Sequence, residues 1–159
     1  MLNVRNENTG MEMQSTTEMS ARMSGPVALR DDHGTILVVE EEEMLGDSLC
    51  ALLKGNGYSV LPAADGTDAI RTYMKHAGNI TLVLLDMDLS RISGEAVLAM
   101  IIALNPRARV IAVSGAINRE ILSNAIQMGA QDSLSKPYTS NDLLLKVQNA
   151  LWSGVQLNS

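Results

Sequence analysis

The chain has no Phe, a single Trp and three Tyr among its 159 residues. Its core must therefore be filled by Leu, Ile, Val, Ala and Met, and it has no aromatic platform on which bases could stack. Basic clusters are missing as well. The net charge is −6 and the pI about 4.8, and no run of Lys or Arg interrupts that balance. Phosphate neutralisation needs such runs, so a DNA- or RNA-binding surface is excluded. Cysteine is nearly absent: Cys50 stands alone, which rules out a disulfide framework and points to a reducing, cytoplasmic setting. Its neighbours Leu49, Leu52 and Leu53 suggest a buried thiol, and no His lies near it in sequence to activate a nucleophile. His33 and His76 have no metal-ligand spacing with it. No apolar run approaches the roughly 18 residues of a membrane span, and the N-terminus lacks the apolar segment of a secretory signal.

What is present fits one domain with a real hydrophobic core, at 46% hydrophobic and 19% charged residues. The first 34 residues scatter Met11, Met13, Met19 and Met23 among polar residues with no persistent period, so a disordered leader is expected. From Thr35 onward strands and helices alternate. Strands are expected at Thr35–Val39, Tyr58–Leu61, Leu82–Leu85, Arg109–Val113 and Asp132–Ser135. The helices between them start near Glu43, Gly66, Gly94 and Arg119, and a last one follows the capping box Thr139-Ser140-Asn141-Asp142. Such alternation means right-handed crossovers and a parallel sheet between two helix layers, the α/β doubly wound class. The domain is expected over residues 35–152, with 153–159 as a tail too short to fold independently.

In such sheets ligands collect beyond the carboxyl ends of the strands. Those ends are polar here: Glu40-Glu41-Glu42-Glu43, Asp86 and Asp88, Ser114-Gly115-Ala116, and Lys136-Pro137. Taken singly, each has an ordinary explanation as a cap, a turn or a solvated charge. Together, at the same end of successive strands, they describe a site. Like charges crowd there at a cost unless a cation joins them or one group reacts. Hard oxygen donors suit Mg²⁺ or Mn²⁺ rather than Zn²⁺. Asp86 could ligate such an ion with one oxygen and attack phosphorus with the other, giving an aspartyl phosphate. Lys136 would neutralise charge on the transferring group, and Ser114 would donate to a phosphoryl oxygen.

The residues from Thr35 to about Leu151 resemble the receiver domain of two-component response regulators, including the receivers at the ends of hybrid histidine kinases. The resemblance rests on Ile-Leu-Val-Val before the acids, Leu85-Asp86-Met87-Asp88-Leu89 with Ser93-Gly94 downstream, Val113-Ser114-Gly115, Gly129-Ala130 and Lys136-Pro137. It implies a flavodoxin-like five-stranded sheet in the order 2-1-3-4-5. It also implies that Asp86 accepts a phosphoryl group from a phosphohistidine on a histidine kinase or phosphotransfer protein. Glu40 and Glu41 would hold Mg²⁺ with Asp86, and Asp88 would contribute its backbone carbonyl. Ser114 would be the switch hydroxyl and Lys136 its pairing lysine, with a cis Lys136–Pro137 bond. The face of helix four, strand five and helix five would bind partners or a second copy. With Trp152–Ser159 alone after the last helix, the expectation is a single-domain signalling phosphoacceptor with no separate catalytic activity.

Three departures from the family's wording bear on that expectation. Glu40-Glu41 replaces the usual Asp pair, and each extra methylene must fold back to keep a metal–oxygen distance of about 2.1 Å, so weakened cation binding is expected. Ser90 stands where Pro usually stiffens the phosphorylation loop. Ser133 stands where an aromatic usually reports switching. The alternative these departures support is a phosphorylation-independent receiver-like interaction module. Asp86-x-Asp88 also resembles the nucleophile motif of haloacid-dehalogenase-like phosphatases, but that family places further acids downstream and here they lie upstream. A dinucleotide site is excluded, because Val39-Glu40-Glu41-Glu42 replaces the glycine-rich turn.

Overall fold

The computed structural model describes residues 34–157, with side chains up to Trp152. The expected disordered leader lies outside the described residues except for Gly34. Strand β1 (Thr35–Val39) is followed by α1 (Glu43–Gly55), β2 (Ser59–Ala63), α2 (Gly66–His76) and β3 (Ile80–Asp86). Then come α3 (Gly94–Leu104), β4 (Val110–Gly115), α4 (Arg119–Met128), β5 (Asp132–Lys136) and α5 (Ser140–Leu157). All strand pairs are parallel, in the order β2-β1-β3-β4-β5. The doubly wound architecture follows from the strand residues themselves. In β1, Leu37 and Val39 face one helix layer while Ile36 and Val38 face the other. β3 and β4 do the same, with Val83, Leu85, Val110 and Ala112 on the first side and Leu82, Leu84, Ile111 and Val113 on the second. Strands with apolar residues at successive positions are covered on both faces.

Helices α2, α3 and α4 close the first side with Ala69, Tyr73, Val97, Leu98, Ile101, Leu122 and Ala125. Helices α1 and α5 close the second with Leu49, Leu53, Leu143, Val147 and Leu151. Tyr73 is the largest side chain fully inside, and its hydroxyl accepts from the Asn105 amide at 3.1 Å, so the one polar atom of that ring is satisfied. Cys50 is half-buried rather than enclosed: it packs at the margin of the second layer on the partly exposed flank of α1. Burial still pushes its thiol above the ordinary range, so it is a poor nucleophile.

The helix starts were legible in short polar motifs. Ser93 Oγ accepts from the Ala96 N–H at 3.1 Å, and Asp65 Oδ1 from the Asp68 N–H at 2.7 Å. At α5 the capping box is reciprocal: the Asp142 N–H donates to Thr139 Oγ1 at 3.0 Å and the Thr139 N–H to Asp142 Oδ2 at 3.1 Å. Helix ends were less legible. The α5 backbone continues to Leu157, so residues 153–157, expected as tail, extend it. Extending a helix by a turn costs little either way. After α1 the left-handed position is Gly57 (φ +94°), with Asn56 still on the right-handed side. Strand β2 carries Pro62, which is tolerable because β2 is an edge. The Ala63 carbonyl faces β1, accepting from the Glu40 N–H at 3.1 Å, so Pro62 turns its nitrogen outward.

Gly94 fixes the loop that carries the site. A Cβ there would sit 2.4 Å from Met87 Cα and 2.9 Å from the Met87 carbonyl carbon. The start of α3 thus rests directly on the backbone between Asp86 and Asp88. Gly94→Ala is expected to destabilise the fold by about 2 kcal/mol or more, because backbone on both sides must move. Urea unfolding measures the loss, and an unchanged midpoint would contradict the close approach.

Candidate functional site

The parallel register brings the acids together. Val39 pairs with Leu85 across β1 and β3, so Glu40 and Asp86 emerge side by side at the carboxyl edge. On the other flank Ser114 pairs with Ser135 and Gly115 with Lys136. Glu40, Asp86 and Ser114 are buried at 8%, 6% and 0% exposure, and these three polar side chains stand out against an otherwise apolar interior. Lys136 Nζ reaches back over the edge to lie 3.5 Å from Asp86 Oδ2 and 3.7 Å from Glu40 Oε1. The Lys136–Pro137 peptide is cis.

Two carboxylates and one ammonium leave a net negative charge in a partly desolvated place. Glu40 reports the strain. Its carboxyl is held above its ordinary range chiefly by burial and then by the Asp86 charge, against a hydrogen bond from the Glu42 N–H (3.1 Å) and the pull of Lys136. Burial acts to lower the Lys136 value, but the charges of Asp86 and Glu40 outweigh it and raise the ammonium above its usual range. Tyr138 beside them is also raised, by burial.

The remaining predicted residues are drawn elsewhere. Asp86 Oδ1 accepts from the Asp88 N–H at 2.9 Å, which fixes the loop but turns the Asp88 side chain toward β4. There the Asp88 carboxylate takes three donors: Ser114 Oγ at 2.8 Å, the Gly115 N–H at 3.2 Å and Asn118 Nδ2 at 3.2 Å. Ser114 is therefore engaged by Asp88 rather than aimed at Asp86. Glu41, expected beside Glu40, instead accepts from the Ser90 N–H (2.9 Å) and Ser90 Oγ (3.0 Å) through Oε2. Sequence reasoning did not single out Asn118, although an Asn just before a helix is a signal that could have flagged it. Ser90 was noted only for the proline it replaces.

Among the described residues no three His, Cys, Asp or Glu side chains converge into a ready-made cation cage. The donor chemistry nevertheless suits a hard divalent ion. Glu40 and Asp86 are oxygen donors, adjacent and buried, and two carboxylates share the single Lys136 ammonium. No helix among the described residues is long and apolar enough to cross a membrane.

With this geometry in place, the comparisons agree with one another. A family profile described as the response regulator receiver domain matches residues 36–148. The chain belongs to that family. The transcriptional regulatory protein DltR of Streptococcus agalactiae is 32% identical over 113 residues, covering 71% of this chain and 50% of that protein. A response regulator receiver domain protein from Clostridium thermocellum superposes with a TM-score of 0.74 at 29% identity, covering 78% of this chain and 98% of that one. A chain of the CheX–CheY–BeF3–Mg²⁺ complex from Borrelia burgdorferi gives 0.69 at 26% identity, covering 73% and 87%. This receiver spans about half or less of the curated relatives it matches. The flavodoxin-like sheet and the two-component signalling class both follow, and receiver domains act as signalling phosphoacceptors.

The raised Glu40 value carries a sign. A carboxyl whose folded value lies above its unfolded one contributes stability that is present below about 4.5 and is lost as pH climbs through the folded value. Glu40→Gln removes the penalty. In metal-free buffer the variant should match the parent near pH 4.5 and exceed it in stability at pH 7. Urea melts across that range test this, and a gain that is already complete at pH 4.5 would contradict it.

Proposed function

We propose that this chain takes a phosphoryl group from a phosphohistidine onto Asp86, assisted by a divalent cation, and thereby switches a protein-binding face. The observation that carries the reading is Lys136 Nζ poised between Asp86 and Glu40 at 3.5 and 3.7 Å. In the transfer an Asp86 oxygen attacks phosphorus and the P–O bond forms as the P–N bond breaks. The electron pair returns to the ring nitrogen, and the donor imidazole leaves neutral because its other ring nitrogen is protonated. The buried position of Asp86 at a strand tip, with one oxygen held by the Asp88 N–H, leaves Oδ2 as the attacking atom. Lys136 holds charge on the transferring group. Glu40, Asp86 and the backbone carbonyl of Asp88 would hold Mg²⁺ or Mn²⁺, which supplies charge neutralisation at the phosphoryl oxygens. Ser114 and the Gly115 N–H, adjacent and both donors, suit an arriving phosphoryl oxygen once Asp88 releases them.

The partner class is a histidine kinase or histidine phosphotransfer protein in a cytoplasmic relay, with no separate catalytic activity. The α4–β5–α5 face is the output or self-association surface, supported by exposed Ile126 on α4 and Leu145 on α5. A second reading, a phosphorylation-independent interaction module, is favoured by one observation: Glu41 and Asp88 are both satisfied by internal donors. Calorimetry separates the two, because the module reading requires no Mg²⁺ binding at millimolar metal.

Beryllofluoride with Mg²⁺ should perturb the Ser114 and Gly115 amide resonances, and Asp86→Asn should abolish that response. A response that survives the substitution would sink the assignment. Asp88→Ala, which frees Ser114 Oγ and the Gly115 N–H, should raise labelling by a small phosphodonor such as acetyl phosphate by about tenfold. Autoradiography under matched metal measures this, and slower labelling would show that Asp88 helps rather than competes.

A further inference from the structure

Ser90 and Glu41 are 49 residues apart in sequence, yet one carboxylate oxygen of Glu41 accepts from both the backbone N–H and the Oγ of Ser90, at 2.9 and 3.0 Å. Ser90 is exposed and Glu41 half-buried, so the contact closes the outer rim of the site rather than its floor. Glu41 follows directly on Glu40, whose carboxylate turns inward to Lys136 and the Glu42 N–H. Two adjacent acids thus divide: one faces the half-buried Lys136, the other crosses to the loop after β3. The longer glutamate stem is what lets Glu41 span from the loop after β1 to that loop. Two donors on one oxygen are worth more than one, and both come from a residue that loses them if it becomes proline, which has neither an N–H nor a hydroxyl.

We infer that Ser90 is a positioning residue that withholds Glu41 from the divalent-cation site, so that cation entry and release of Ser90 are competing events at one carboxylate. The inference rests on the reading of Glu40 and Asp86 as cation ligands and adds to it a built-in restraint. With Glu41 on Ser90, the carboxylates left to the resting site are Glu40 and Asp86, already shared with Lys136. A divalent ion bound there attracts the Glu41 carboxylate, which must leave both Ser90 donors to answer. The energy of the staple is subtracted from the apparent cation affinity, as for any ligand whose competent state is not the resting one. The same event frees the Ser90 end of the loop that carries Asp86 and Asp88. Cation occupancy is thereby coupled to the freedom of that loop before any phosphoryl group arrives.

The test uses Mg²⁺ alone, without phosphodonor, on the full chain. Calorimetry should show Ser90→Ala, which keeps the N–H, binding about threefold more tightly than the parent, and Ser90→Pro about tenfold more tightly. Glu41→Gln in the Ser90→Pro background should cancel the gain. A purely structural staple would leave the Ser90 amide resonance unmoved on metal addition. Competition instead requires that resonance to lose its hydrogen-bonded shift over the same concentration range in which metal binds. Asp86→Asn separates the two levels of the argument. If it abolishes binding while Ser90→Pro fails to tighten it, or the Ser90 amide stays bonded in the metal-bound protein, the withholding role is overturned and the cation site stands. If Asp86→Asn leaves the affinity unchanged, the cation reading fails and the inference with it.

Discussion

One ammonium serving two buried carboxylates is the constraint on which the rest of this molecule depends. Lys136 lies within ion-pair distance of both Asp86 and Glu40, and neither acid is more than a tenth exposed. A buried pair is costly to assemble and more costly to break, since loss of one partner strands the other in low dielectric. Here the arrangement is deliberately one positive charge short. The Glu40 carboxyl is raised chiefly by its burial, and the neighbouring Asp86 charge adds to that. A site in this condition gains from any added cation and tolerates a group that arrives already complexed with one.

The fold makes such a shortage affordable by keeping it at an edge. Parallel strands β1, β3, β4 and β5 deliver their last residues to the same rim, and below it the central strands β1, β3 and β4 are mostly apolar and covered by helices on both sides. The rigidity of the site is thus inherited from the sheet, while adjustability resides in three loops. The loop after β3 rests on Gly94, whose missing side chain lets α3 sit against Met87. The loop after β4 is tied to the loop after β3 through the Asp88 carboxylate and its three donors. The loop after β1 is tied to it through Glu41 and Ser90. Both ties converge on the short segment following Asp86, so anything that alters charge at Asp86 is felt first by the two neighbouring loops.

How much of this was legible beforehand differed by kind of interaction. The strand runs Ile36–Val39 and Leu82–Leu85 ended in acids, parallel topology put Glu40, Asp86 and Lys136 at the same end of the sheet, and the strand order implied by the resemblance made Glu40 and Asp86 neighbours. Helix starts at Ser93, Asp65 and Thr139 were legible because capping is local, with donor and acceptor three residues apart. Partner choice between loops was not. Glu41 was expected to face a cation, yet it turns to Ser90, and the Asp88 carboxylate, for which no partner was expected, takes Ser114. Such choices depend on the dihedral angles of loops distant in sequence, which leave no periodic trace. The half-exposed Cys50 was misjudged for another reason: it packs at the margin of the helix face on which Leu49 and Leu53 are buried, so apolar neighbours in sequence do not enclose it in space.

The outward nitrogen of Pro62 has a consequence for how this domain can associate. A parallel sheet with an open margin invites strand addition, by which one molecule templates the next. On β2 that margin lacks a donor in mid-strand, so an incoming strand would meet an interrupted ladder and gain little by continuing along it. Association with other proteins is thereby diverted from the backbone at this margin to side chains on helical surfaces, where fit can depend on which residues a partner presents rather than on hydrogen bonding that any extended chain could supply.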